Sequence, residues 1–239
     1  MELPKKITPC PIEEAVIEIR FESKIPYEAV FGMFYSVFKN DYSDLQKLPV
    51  LQIPESVRFN DINLKYAPYY KLHKKNFILQ IGARVIGLSL VKKYNSWNEF
   101  KTEIIDVITK VYKLNIIDNI SRIGMRYMNY FNFNIFEKIN FNMNLSDKEI
   151  NTMRNTIKLD LLKDNINQTI QLVNNSDFNF NNELKNGSVI DIDSFVTSCD
   201  IVSIDDTMSL LDKLHINEKE LFFSFLKSDF LNKELQAEY

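Results

Sequence analysis

The sequence predicts an α+β protein: antiparallel sheets with helices packed on one face, in two similar-sized halves. Three observations carry this. Apolar residues alternate at period two in several stretches, as half-buried strands require. Apolar residues at helical spacing mark only three stretches. The order in the first half is strand, helix, strands, helix, strand, which suits helices on one face of an antiparallel sheet. The boundary is placed between a domain at 1–134 and one at 135–239.

Each element follows from local chemistry. In AVIEIRF, residues 15–21, Ile17, Ile19 and Phe21 point one way, while Glu18, Arg20 and Glu22 point the other. Pro26 suits the first turn of a helix, whose N–H groups lack partners, and Val30, Phe31, Phe34, Val37 and Phe38 then mark a helix over 26–40. Residues 41–56 read as a connection, with strand-like pieces at 57–60 and 62–66. Residues 77–91 read as a hairpin turning at Gly82-Ala83-Arg84, where glycine is expected to supply a positive φ. Ser96-Trp97-Asn98-Glu99 is a capping box, and Phe100, Ile104, Ile108 and Val111 mark the helix behind it. RIGMRYMNYF, residues 122–131, reads as a strand.

In the second half, Ile139, Phe141, Met143 and Leu145 alternate with asparagines and predict a strand. Further strands are expected near 156–162, 167–173 and 189–196, separated by Asn-rich connections such as 174–182. The stretch 206–235 reads as helical, capped by Asp205 or Asp206 and broken near Asn217.

Composition narrows the function classes. Hydrophobic residues make up 45% and charged residues 26%, the range of a globular chain. Two cysteines, Cys10 and Cys199, suggest buried free thiols rather than a disulfide framework. The N-terminal stretch lacks the apolar core of a signal peptide, and no apolar run is long enough to span a membrane, so a cytoplasmic protein without membrane contact is expected. Only two histidines, His73 and His215, are available for a Ser-His-Asp or metal device, and five glycines form no phosphate-binding loop. No cofactor and no catalytic residue are assigned.

Charge is unevenly spread. Residues 1–134 carry 19 Lys+Arg against 14 Asp+Glu, and residues 135–239 carry 10 against 18. The interval between Asp61 and Glu99 holds no acidic residue. It contains Lys65, Lys71, His73, Lys74, Lys75, Arg84, Lys92 and Lys93, interleaved with Tyr66, Tyr69, Tyr70, Phe77, Tyr94 and Trp97. Such a tract attracts an acidic protein surface. It also has the composition of a nucleic-acid site, in which cations neutralise phosphates and aromatics stack on bases. The candidate binding residues are Lys65, Tyr69, Tyr70, Lys71, His73, Lys74, Lys75, Arg84, Lys92 and Lys93. Arg122 and Arg126 share a strand face. With Arg20 they are expected either to hold an anion or to form ion pairs with Glu18 and Glu22.

Asp191 and Asp193 share a strand face and are the one weak candidate for a divalent metal. Glu183-Leu184-Lys185, with Asp164 or Asp177, supplies the pieces of a nuclease motif in what reads as loop. The readings are therefore three: a non-enzymatic protein-binding subunit or regulator, a nucleic-acid-binding module using 65–97, and a metal-dependent nuclease. Homodimerisation is expected to be open to the chain through unpaired sheet edges.

The motifs also carry a resemblance. PIEEAVIEIRF supplies Pro11, Glu14, Ala15, Glu18 and Arg20. Tyr94, Trp97 and Phe100 form Y-x-x-W-x-x-F, and Arg122, Gly124, Arg126, Tyr127 and Asn129 form R-x-G-x-R-Y-x-N. Leu214, His215 and Phe222 fit a later Leu-His pair before a helix. Together these resemble a sporadically distributed, uncharacterised prokaryotic family, in which leucine is common where Met125 stands. The resemblance covers most of the first 131 residues. It implies no activity. It implies a phage-defence or toxin–antitoxin setting, with a protein partner encoded nearby.

Overall fold

The computed structural model describes residues 3–91, 94–142, 144–146, 148–149, 154–180, 183–199 and 203–239. β1 (Ile12–Ser23) leads into α1 (Tyr27–Phe38). β2 (Ser43–Lys47), a 3-10 turn and α2 (Glu55–Asn60) follow. β3 (Tyr70–Lys74), β4 (Phe77–Ile81) and β5 (Val85–Val91) precede α3 (Trp97–Lys113) and β6 (Ile117–Phe131). Then come the short β7 (Asn144–Leu145) and β8 (Lys148–Glu149), and the longer β9 (Asn155–Lys163), β10 (Ile166–Phe180) and β11 (Glu183–Cys199). α4 (Ile204–Phe225) and a π-helical turn at Phe230–Glu234 complete the order.

The architecture is α+β. Nine strands hydrogen-bond in the order β2-β3-β4-β5-β1-β6-β11-β10-β9, and β7 pairs with β8. The chain divides into two compact units, each assembled from segments distant in sequence. The first holds Ala15–Met125 and Phe195–Asp212; the second holds Met1–Glu14, Arg126–Ser194 and Lys213–Tyr239.

In the first unit, Ala15, Ile17, Ile19 and Phe21 of β1 are all buried on one face. Phe21 meets Phe34 of α1 edge-to-face at 5.9 Å, and Val30, Phe34 and Phe38 are that helix's buried stripe. In the β3–β4–β5 meander, Leu72 faces Leu79, and Leu79 faces Leu88. Directly opposed residues share a sheet face, so Tyr70, Leu72, Phe77, Leu79 and Leu88 lie together. Tyr70 stacks on Phe31 of α1 and Phe77 on Phe100 of α3, so both helices cover this one face. Ser96 caps α3 by accepting from the Glu99 N–H.

In the second unit, Ile170 and Leu172 of β10 and Ile190 and Ile192 of β11 pack with Phe222, Phe223 and Leu226. Halfway along β10, Asn175 takes a left-handed φ of 50°, which asparagine tolerates better than most residues. Leu172 lies in the core before it. Beyond it, Phe178 and Phe180 meet Tyr130 instead, on the face of β6 away from Phe131. One left-handed residue thus turns the strand over.

Several expectations are corrected. Residues 57–60 belong to α2, not a strand, and 62–66 form turns. The alternation at Ile139–Leu145 gives only an isolated bridge from Ile139 to Leu226 and the two-residue β7; Met143 lies outside the described residues. Asn-rich 174–180 is strand, as are Asp177, Glu183 and Lys185. α4 continues through Asn217, whose side chain bonds back to the Lys213 carbonyl at 2.9 Å. Cys10 is exposed rather than buried. Among the described residues no helix is long and apolar enough to cross a membrane.

Gly82 does not use a positive φ. The reason for glycine there is space: a Cβ would stand 2.5 Å from the Ala67 carbonyl oxygen and 2.7 Å from Val85 Cγ1. Gly82→Ala is therefore expected to destabilise the protein by about 1–3 kcal/mol in urea denaturation. Gly32→Ala, in α1 with nothing within 4 Å of the added Cβ, should stabilise by about 0.5–1 kcal/mol.

Candidate functional site

Because α1 and α3 cover one face of the first unit's sheet, the alternate residues of its strands project from the other. On β1 these are Glu18, Arg20 and Glu22. Arg122 of β6 joins them: its Nη1 donates to Glu18 Oε1 at 2.7 Å, and Arg20 Nε donates to the same oxygen at 2.7 Å. Gly124 makes this possible. A Cβ there would stand 2.4 Å from Arg122 Nη1, so the R-x-G spacing lets the guanidinium lie flat across the strand. Arg122 also lies over the Phe195 ring at 4.4 Å.

Glu22 is the second anchor. Its carboxylate accepts from the Tyr27 hydroxyl at 2.7 Å and pairs with Lys65 at 3.3 Å and Arg84 at 3.5 Å. Partial burial pushes the Glu22 carboxyl up. The hydrogen bonds from Tyr27 and Lys65 and the charge of Arg84 outweigh it, so the group stays below its ordinary value. The cations in turn lie against rings. Arg20 and Lys65 share Tyr66, at 4.9 Å and 5.1 Å, and Arg84 covers Tyr27 at 4.3 Å. Four cations, Arg20, Lys65, Arg84 and Arg122, thus surround two carboxylates.

The rest of the basic tract separates by strand face. Lys74 shares the helix-covered face and donates to both oxygens of Glu103 on α3, at 2.7 Å and 2.9 Å. Tyr69 is buried, with Arg58 over its ring. Lys71 and His73 project from the same face as Arg20, since they alternate with Leu72. Lys75, exposed at the β3–β4 turn, has a φ of 53°. Lys71, His73 and Lys75 make no ion pair among the described residues. Lys92 and Lys93 lie outside those residues.

In the second unit Arg126 makes a two-pronged pair with Asp191, Nε to Oδ1 at 2.7 Å and Nη2 to Oδ2 at 2.5 Å. The hydrogen bonds to Asp191, and then its charge, hold the guanidinium above its ordinary value. Both oxygens of Asp191 are therefore engaged by an arginine. No group of three or more His, Cys, Asp or Glu side chains suited to a metal occurs among the described residues. Lys185 pairs with Glu13 at 3.1 Å, while Asp177 accepts from Asn186, so the pieces of the nuclease motif serve separate contacts.

The sequence reading missed a buried polar cluster beneath β6. Glu218 of α4 is 2% exposed. Its Oε1 accepts from the Tyr127 backbone N–H at 3.1 Å, and its Oε2 has no hydrogen-bond partner among the described residues. His215, one turn earlier, lies 3.1 Å from the Tyr127 hydroxyl. A signal was present: Thr207, Leu211, Leu214, Glu218 and Phe222 fall on one buried stripe of α4, and Glu218 is the lone acid on it.

Comparison with protein families and with curated proteins gives no significant match for this chain.

Burial pushes the Glu218 carboxyl well above its ordinary value, and the charges of Asp193 and Asp191 add to that shift against a hydrogen bond from Ser194. The folded state therefore holds this proton more tightly than the unfolded chain. Stability from this group is full at low pH and falls as pH rises above the unfolded carboxyl value, near 4.3 (about that of a free glutamate). Glu218→Gln is expected to be more stable than wild type at pH 8, with the gap shrinking towards pH 4.5, in urea melts at the two pH values.

Proposed function

We propose that this protein is a non-enzymatic protein-binding subunit or regulator. It takes an acidic surface of a partner protein on the sheet face of its first unit opposite α1 and α3. The observation that carries this reading is the concentration of cations there. Arg20, Lys65, Arg84 and Arg122 converge on Glu18 and Glu22, and Lys71 projects from the same face, with no ion pair among the described residues. Complementary charge speeds encounter and selects partners.

The state of the aromatic residues favours protein over nucleic acid. A base-stacking platform needs open rings. Tyr66 is covered by Arg20 and Lys65, Tyr69 is buried, and Tyr70 and Phe77 stack on Phe31 and Phe100. The nuclease reading is disfavoured because Arg126 holds Asp191. The setting, a phage-defence or toxin–antitoxin module with the partner encoded nearby, rests on the resemblance of the sequence motifs.

Lys71→Glu with Lys75→Glu tests the surface, because neither lysine holds the fold together. Co-expressed with neighbouring genes, the wild type should retain a stoichiometric protein partner. The double variant should bind that partner at least about tenfold more weakly, with an unchanged melting temperature. Retention of nucleic acid with a steep salt dependence, in place of a protein, would transfer the surface to the nucleic-acid reading.

A further inference from the structure

Among the described residues the sheet ends in two strands with a neighbour on one side only, β2 and β9. Proteins usually blunt such edges with short strands, bulges or charge, because free N–H and C=O groups invite another strand. β2 is blunted. It has five residues, a register shift between Ser43 and Gln46, and a left-handed Asp44 at φ 52°.

β9 is not. It pairs with β10 in nine consecutive steps without a shift, from Asn155 opposite Asn174 to Lys163 opposite Ile166. Its residues alternate. Ile157 is in the second unit's core and Leu159 packs against it. Leu161, on the same side, is 45% exposed. Lys158 and Asp160 point to the other side, with side chains 62% and 68% exposed. Leu162 is 70% exposed.

We propose that β9 is the seam of a symmetric homodimer, pairing antiparallel with β9 of a second copy about a twofold axis at Leu159. The sequence NTIKLDLLK is self-complementary in that register alone. Centred on Leu159, Lys158 faces Asp160 of the second copy, and Asp160 faces its Lys158. On the other side Ile157 faces Leu161 and Leu159 faces Leu159, so the exposed leucine gains an apolar neighbour. A slip that keeps the faces but centres the axis on Lys158 sets lysine against lysine. Centring it on Asp160 sets aspartate against aspartate. Opposite charges across a strand pair are favourable and like charges unfavourable. Such an isologous contact closes on itself. This inference is independent of the acidic-partner reading, whose residues lie in the other unit.

The test is a charge swap read by analytical ultracentrifugation of the full chain. Wild type is expected to be a concentration-dependent dimer. Lys158→Glu alone and Asp160→Lys alone should each weaken it by about tenfold. The double variant Lys158→Glu/Asp160→Lys should recover wild-type association. The two single variants mixed should form a heterodimer, since each supplies the charge that the other lacks. Circular dichroism of each variant checks that the fold persists. A chain that stays monomeric up to about 1 mM, or a dimer indifferent to both single changes, would overturn the proposal.

Discussion

Everything in the first unit depends on the two-residue period of β1. Because successive side chains leave opposite faces of a strand, one twelve-residue segment supplies both the floor of a core and the anchors of a charged surface. Ile17, Ile19 and Phe21 hold α1 and its neighbours in place. Glu18 and Glu22 emerge between them and collect Arg20, Lys65, Arg84 and Arg122. A slip of one residue would exchange the two sets and bury the carboxylates. The apolar half of β1 therefore also fixes where the charges stand.

The carboxylates decide which cations are left for recognition. Glu103 engages Lys74, Glu22 engages Lys65 and Arg84, and Glu18 engages Arg20 and Arg122. Part-exposed ion pairs of this kind contribute little to stability. Their effect is to orient side chains. Guanidinium groups held against tyrosine and phenylalanine rings lose freedom on folding rather than on binding, which lowers the entropic cost of taking a partner. The second unit differs. There Arg126 and Asp191 neutralise each other, and a buried glutamate is left with one oxygen unpartnered among the described residues.

Sequence and structure part where local pattern met a long-range requirement. Residues 57–60 have the apolar content of a strand, but Pro54 and Glu55 start a helix that takes them in. Ile139–Leu145 alternates well, yet alternation makes a strand only beside a partner of matching length, and Ile139 finds one residue, Leu226. The asparagines of 174–180 resemble loop composition. In the structure Asn174 is buried and accepts from Ser188, while Asn175 supplies a mid-strand left-handed turn that composition cannot locate. Gly82 was legible as necessary but for the wrong reason. The need comes from Ala67, fifteen positions away.

By itself, the sequence determined the α+β class, the hairpin at 77–91, the capped α3, the faces of β1 and β6, and the basic composition of 65–93. All rest on interactions within a turn or on the period of one element, which neighbouring residues specify. Only the tertiary structure decided which charges stay unpaired. Arg126 shares a strand face with Arg122, yet it pairs with Asp191 while Arg122 pairs with Glu18. Partner choice of that kind is set by which strands become neighbours in the sheet, and strand order is a property of the whole fold rather than of any one segment.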